Sequence, residues 1–66
     1  MRQTIRDRHG HVLGTIEQQP LTGRSLARDA HGVIVAVYDE RSDTTRDARG
    51  VLIGRGNRLA AFLVPW

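Results

Sequence analysis

Sixty-six residues with ten basic and seven acidic side chains, a net charge of +3 and no cysteine exclude several domains, a disulfide framework and a thiolate metal site. So short a chain buries only about 60% of its unfolded surface, so self-association is expected as a further source of stability. All ten basic residues are Arg, which suits phosphate and interfacial ion pairs, so nucleic acid and an acidic protein are both expected among possible partners.

Three copies of one pattern run along the chain. They are Ile5-Arg6-Asp7-Arg8-His9-Gly10-His11-Val12-Leu13-Gly14, Ala27-Arg28-Asp29-Ala30-His31-Gly32-Val33-Ile34-Val35-Ala36 and Thr45-Arg46-Asp47-Ala48-Arg49-Gly50-Val51-Leu52-Ile53-Gly54. The shared unit is Arg-Asp-x-(His/Arg)-Gly-x, two apolar residues, then Gly or Ala. Three residues further on stand Glu17, Asp39 and Asn57. Asp opens a type I turn by accepting backbone N–H groups, and Gly three residues later takes a positive φ and forms a bulge. Each copy therefore reads as a hairpin, with incoming strands at 4–6, 25–28 and 44–46 and outgoing strands at 12–16, 33–38 and 51–54. Gln19-Pro20-Leu21-Thr22-Gly23 and Asp39-Glu40-Arg41-Ser42-Asp43 are the loops between hairpins. The expected fold is a single all-β domain over 1–66. It is a meander of about six strands, solenoid-like or barrel-like, with hairpin repeats at 4–16, 25–38 and 44–55.

The tail 57–66 differs. Asn57 is placed to cap a short helix over 58–63, and the segment from Leu59 to Trp66 is the most apolar of the chain. Leu59, Phe62, Leu63 and Trp66 are therefore expected at an oligomer or partner interface.

Strict alternation from the turns puts Leu13, Val35 and Ile53 with Val33, Val37 and Val51 on one face. Val12, Ile34 and Leu52 fall on the other, with Gly14, Ala36 and Gly54 and the repeated Arg6, Arg28 and Arg46. Both faces are partly apolar, so a homo-oligomer is expected. The three arginines are expected to form a row able to meet phosphates, making them the candidate nucleic-acid or anion site. The alternative is that each Arg lies over the adjacent Gly or Ala and pairs with a nearby acid.

Other constellations read as structure. Asp7, Asp29 and Asp47 are explained alike as turn caps. Successive hairpins lie about 10 Å apart, too far for their carboxylates to share one cation. His9 and His31 occupy the turn slot that Arg49 fills in the third copy, so no metal or other cofactor is expected. No Ser-His-Asp or Cys-His arrangement marks a nucleophile, and catalysis is not expected. The first residues show no apolar leader region and no stretch is long enough to span a bilayer, so a cytoplasmic, membrane-free protein is expected.

The Asp-x-x-Gly hairpins, spaced at about twenty residues, resemble the tyrosine–aspartate repeats of the RHS class of β-rich bacterial proteins. The hallmark Tyr before Asp is Arg in all three copies here. The resemblance implies an array of β-hairpins. The stretch from Thr45 to Leu59 is also similar to small uncharacterised bacterial proteins of phages and plasmids. These readings lead to a non-enzymatic bacterial assembly module that self-associates and offers an Arg-rich surface to a partner. The alternatives are a nucleic-acid-binding protein and a protein inhibitor from a mobile element that docks through its tail.

Overall fold

Each Asp of the repeat gathers the turn around one carboxylate oxygen. Asp7 Oδ1 accepts the N–H groups of His9 and His11 at 2.8 and 2.9 Å. Asp29 does the same with His31 and Val33, and Asp47 with Arg49 and Val51. Gly10, Gly32 and Gly50 each donate to the carbonyl of their Asp at 3.0 Å and sit at φ of 85–87°. That backbone is open to Gly at little cost. The three turns are thus one structure written three times.

The computed structural model describes residues 2–63. The turns join β1 (Arg2–Arg6) to β2 (Val12–Gln19), β3 (Arg24–Asp29) to β4 (Ile34–Asp39), and β5 (Thr44–Asp47) to β6 (Leu52–Arg55). All neighbours are antiparallel and lie in chain order in one six-stranded sheet. The all-β, six-strand meander is as expected, but β1 and β6 do not pair, so the barrel-like closure is corrected to an open sheet. The C-terminal helix is a single 3-10 turn, η1 (Leu59–Phe62), shorter than the 58–63 read from the sequence. The N-cap is Arg58, without a side-chain cap, so the cap expected at Asn57 is corrected: Asn57 stands one residue outside and accepts the Leu59 N–H through Oδ1 at 3.1 Å.

The register at the turns follows the sequence reading: Arg6 faces Val12, Arg28 faces Ile34 and Arg46 faces Leu52. One step further it departs. Ile5 faces Gly14, Ala27 faces Ala36 and Thr45 faces Gly54, leaving Leu13, Val35 and Ile53 as the extra residues of three equivalent β-bulges. A one-residue insertion reverses every later side chain. The Gly/Ala column therefore leaves the arginine face for the opposite one, joining Ile16, Ala27, Tyr38 and Thr45. Val37 moves the other way, between Leu26 and Arg46.

The column of small residues is the floor on which the chain's end lies. Ala27, Ala36 and Leu59 are fully buried and Leu63 is nearly so. Ile5, Leu13, Ile16, Val35 and Tyr38 pack around them. At Gly14 a Cβ would collide with the Arg28 carbonyl oxygen and with the Leu63 side chain. At Gly54 it would meet the Arg58 guanidinium, whose Nε donates to the Arg55 carbonyl at 3.0 Å. Thr45 ties the covering segment down. Its hydroxyl donates to the Gly56 carbonyl at 2.7 Å and accepts the Arg58 N–H at 3.0 Å. One face of the sheet is thus covered by the chain itself, and among the described residues nothing lies over the other.

Candidate functional site

The uncovered face carries an unusual concentration of one charge. Following the pairing across the sheet, one line of facing residues runs Arg2, Glu17, Leu26, Val37, Arg46, Leu52. A second runs Gln19, Arg24, Asp39, Thr44, Arg55, and a third Thr4, Thr15, Arg28, Ile34. Arg6 and Val12 complete the face. Arg2, Arg6, Arg24, Arg28, Arg46 and Arg55 therefore share it with two acids, Glu17 and Asp39. Of the remaining acids, Asp7, Asp29 and Asp47 stand where a strand runs into its turn and are occupied by backbone N–H groups, and Glu40 and Asp43 lie in a loop.

Arg6, Arg28 and Arg46 do lie on one face, as the repeat implied, but not in one row. Each falls in a different line, one same-face position apart. Two strand spacings across and two residues along give a diagonal with steps of about 12 Å. Nor do they lie over Gly14, Ala36 and Gly54, because the bulges carry those residues to the other face. Each guanidinium instead donates through Nη1 to the carbonyl of its own turn glycine: Gly10 at 2.9 Å, Gly32 at 3.1 Å and Gly50 at 2.9 Å. A guanidinium has five donors, so most remain free after this bond. Among the described residues Arg24 and Arg55 make no side-chain hydrogen bond or ion pair, and Arg2 reaches Glu17 at 3.4 Å. Between Arg24 and Arg46, beside Val37 and Thr44, the face dips into a groove of about 280 Å³.

The aliphatic residues between the arginines are less open than an uncovered face would leave them. Leu26, Ile34 and Val37 are half-buried. Arginine stems can cover apolar surface while their heads stay in water, and arginines flank all three of these residues on the face. Val12 and Leu52, each the first residue of its strand, are exposed on the same face.

Of the four tail residues expected at an interface, two are turned inward. Leu59 and Leu63 are taken up by the chain's own core, because the Gly/Ala floor leaves room for them there. Phe62 stays partly exposed, and Trp66 lies outside the described residues.

The histidines are turn residues. His9 and His11 have ring centroids 6.2 Å apart, and His11 Nδ1 lies 3.4 Å from Asp7 Oδ2. The Asp7 carboxyl is held below its ordinary value, chiefly by the His11 N–H it accepts, with its slight desolvation working against that. The Tyr38 phenol is pushed up, first by its 2.7 Å bond to the Asp43 carboxylate. Among the described residues no three of His, Cys, Asp or Glu gather as a metal site would require, and no helix is long and apolar enough to cross a membrane. Comparison of the chain with protein-family models, curated proteins and solved structures finds no match.

Proposed function

We propose that this chain is a binding module rather than an enzyme, and that its open sheet face receives an anionic macromolecule. The observation that carries the reading is the six arginines against two acids on the face that the chain does not cover. A low-mobility array of like charge raises the local concentration of an oppositely charged partner and speeds its capture. The turn carbonyls already orient Arg6, Arg28 and Arg46, so less side-chain freedom is lost on binding than with free arginines.

Retention on immobilised heparin, a sulfated polyanion, tests this. A variant carrying R24Q, R28Q and R46Q is expected to elute at clearly lower salt than one carrying R8Q, R41Q and R49Q. Both lose three charges, but only the first loses them from the open face. Equal elution would refute the reading, because retention would then follow net charge alone.

A second reading, self-association, is supported by area. The exposed surface of 4959 Å² exceeds by roughly 750 Å² what a compact 7.4 kDa chain shows. That is close to one partner's share, about 800 Å², of a standard interface. Val33 and Val51, both more than half exposed on the covered side, are the residues such contact would use. Light scattering across concentration is expected to show mass rising above the monomer, and a constant monomer mass would remove this reading.

A further inference from the structure

We infer that the occupant of the open face is duplex nucleic acid, held through its phosphates without reading of sequence. This rests on the proposal that the face binds a polyanion and commits it to one chemistry. Three features favour a nucleic-acid backbone over an acidic protein. First, Arg6, Arg28 and Arg46 occupy the same position of a repeated unit, so their charges advance across the face by a constant step. A constant step matches a polymer with evenly spaced charge. Second, each of these guanidiniums is fixed at one nitrogen by its turn carbonyl, which leaves other N–H groups free for the paired hydrogen bonds that phosphate oxygens accept. Third, the aliphatic residues in the middle of the face, Leu26, Ile34 and Val37, are half-buried, and the exposed ones, Val12 and Leu52, stand at strand ends, so the face lacks the open apolar centre expected of a protein interface.

The duplex form follows from what the face lacks. Tyr38 lies on the covered side beside Thr45 and Ser25, and among the described residues no aromatic residue lies on the open face. Binding of single strands depends on stacking bases on aromatic rings. A duplex keeps its bases stacked inside and presents phosphates outward, which is all that this face can grip. Asn and Gln are nearly absent too: among the described residues Gln19 is the sole amide on it, so base edges have little to meet.

Fluorescence anisotropy of a labelled mixed-sequence DNA duplex of about two turns, with the intact chain, tests the inference. Five phosphate contacts, from Arg6, Arg24, Arg28, Arg46 and Arg55, predict that affinity falls about 500-fold between about 50 and 200 mM salt. Two duplexes of unrelated sequence are expected to bind equally, and a single strand of the same length more weakly. The R6Q/R28Q/R46Q variant is expected to lose most of that salt dependence. Since those changes also remove turn hydrogen bonds, R24Q/R55Q serves as a second variant. Its side chains have no hydrogen-bond or ion-pair partners among the described residues, and it is expected to cut the salt dependence by about 10-fold over the same range. The inference is overturned if R24Q/R55Q binds like the unchanged protein, if the single strand binds more tightly, or if polyglutamate at equal charge displaces the duplex. Heparin retention without duplex binding would overturn this inference alone, while equal elution of the two triple variants from heparin removes the polyanion reading beneath it.

Discussion

At the scale of single residues, the polar side chains of this protein mostly act on its own backbone. Thr45 is the clearest case. It is fully buried, and its hydroxyl serves both the Gly56 carbonyl and the Arg58 N–H, fastening the segment that covers the core. Thr45→Val keeps the shape but leaves both groups unpaired, at a cost of about 1–3 kcal/mol. Chemical denaturation is expected to show that loss, and an unchanged midpoint would mean the fastening is idle. Asp7 adds a pH term. Its carboxyl binds protons less readily in the folded chain than in the unfolded one, because the folded charge accepts the His11 and His9 N–H groups. The stabilisation is therefore present above a pH of about 4 and is lost as pH falls through the lower folded value. Asp7→Asn is expected to lower stability at neutral pH and to flatten its decline in acid. Thermal melts between pH 6 and 2 would show it; parallel curves for the two proteins would contradict it. The role of Asp7 could be read from sequence, since Asp-x-x-Gly has one strong local explanation. That of Thr45 could not, because both its partners lie more than ten residues away and nothing in a Thr-Thr pair announces them.

At the scale of elements, the decisive feature is the bulge. The hairpins, their turns and the register beside each turn follow from Asp, Gly and β-branched residues, and all were legible. The faces were not, because alternation holds only while the ladder has equal numbers on both sides. Leu13, Val35 and Ile53 break it at the same place in each copy. The two apolar residues before each Gly or Ala are the only local sign: Leu13 and Val35 both reach the core beside a small neighbour, where alternation would allow one of the pair. The small column then has a purpose beyond the strand itself, since it admits η1 and Leu63 close to the sheet. Gly14→Ala tests that fit. The added methyl meets the Arg28 carbonyl oxygen, which cannot move without disturbing β3, as well as Leu63. Overpacking of this kind costs about 1–3 kcal/mol. Ala36→Gly, at the equivalent place in the second copy, has no collision to create and is expected to cost about 1 kcal/mol or less through chain entropy. Equal losses in denaturant midpoint would show that the close approach at Gly14 is not what selects glycine there.

At the scale of the whole molecule, one sheet separates two kinds of surface, and the charge of the open one bears on both stability and assembly. Extension of the meander by a second copy illustrates the second point. Between hairpins, Gly14 faces Asp29 and Ala36 faces Asp47. The same step from β6 to the β1 of another copy would set Gly54 against Asp7 and Arg55 against Arg6, two like charges directly opposed, which is unfavourable in a sheet. Charged, short edges of this kind guard against strand addition. Within one copy the six arginines also repel each other. At about 12 Å in water each pair costs roughly 0.3 kcal/mol, so the sum over neighbours reaches about 1 kcal/mol at low ionic strength. Salt screens this repulsion over a length of about 10 Å at 0.1 M. The protein is therefore expected to melt several degrees higher at about 0.15 M than at about 0.01 M sodium chloride, since 1 kcal/mol moves the melting point of so small a domain by about 4–8 °C. The R24Q/R55Q variant, which loses two unpaired guanidiniums from the face, is expected to be more stable than the parent at low salt and to gain less from added salt. A melting point that falls with salt, or a variant less stable than the parent at low salt, would show that the open face is stabilised by its arginines through their stems more than it is strained by their charge.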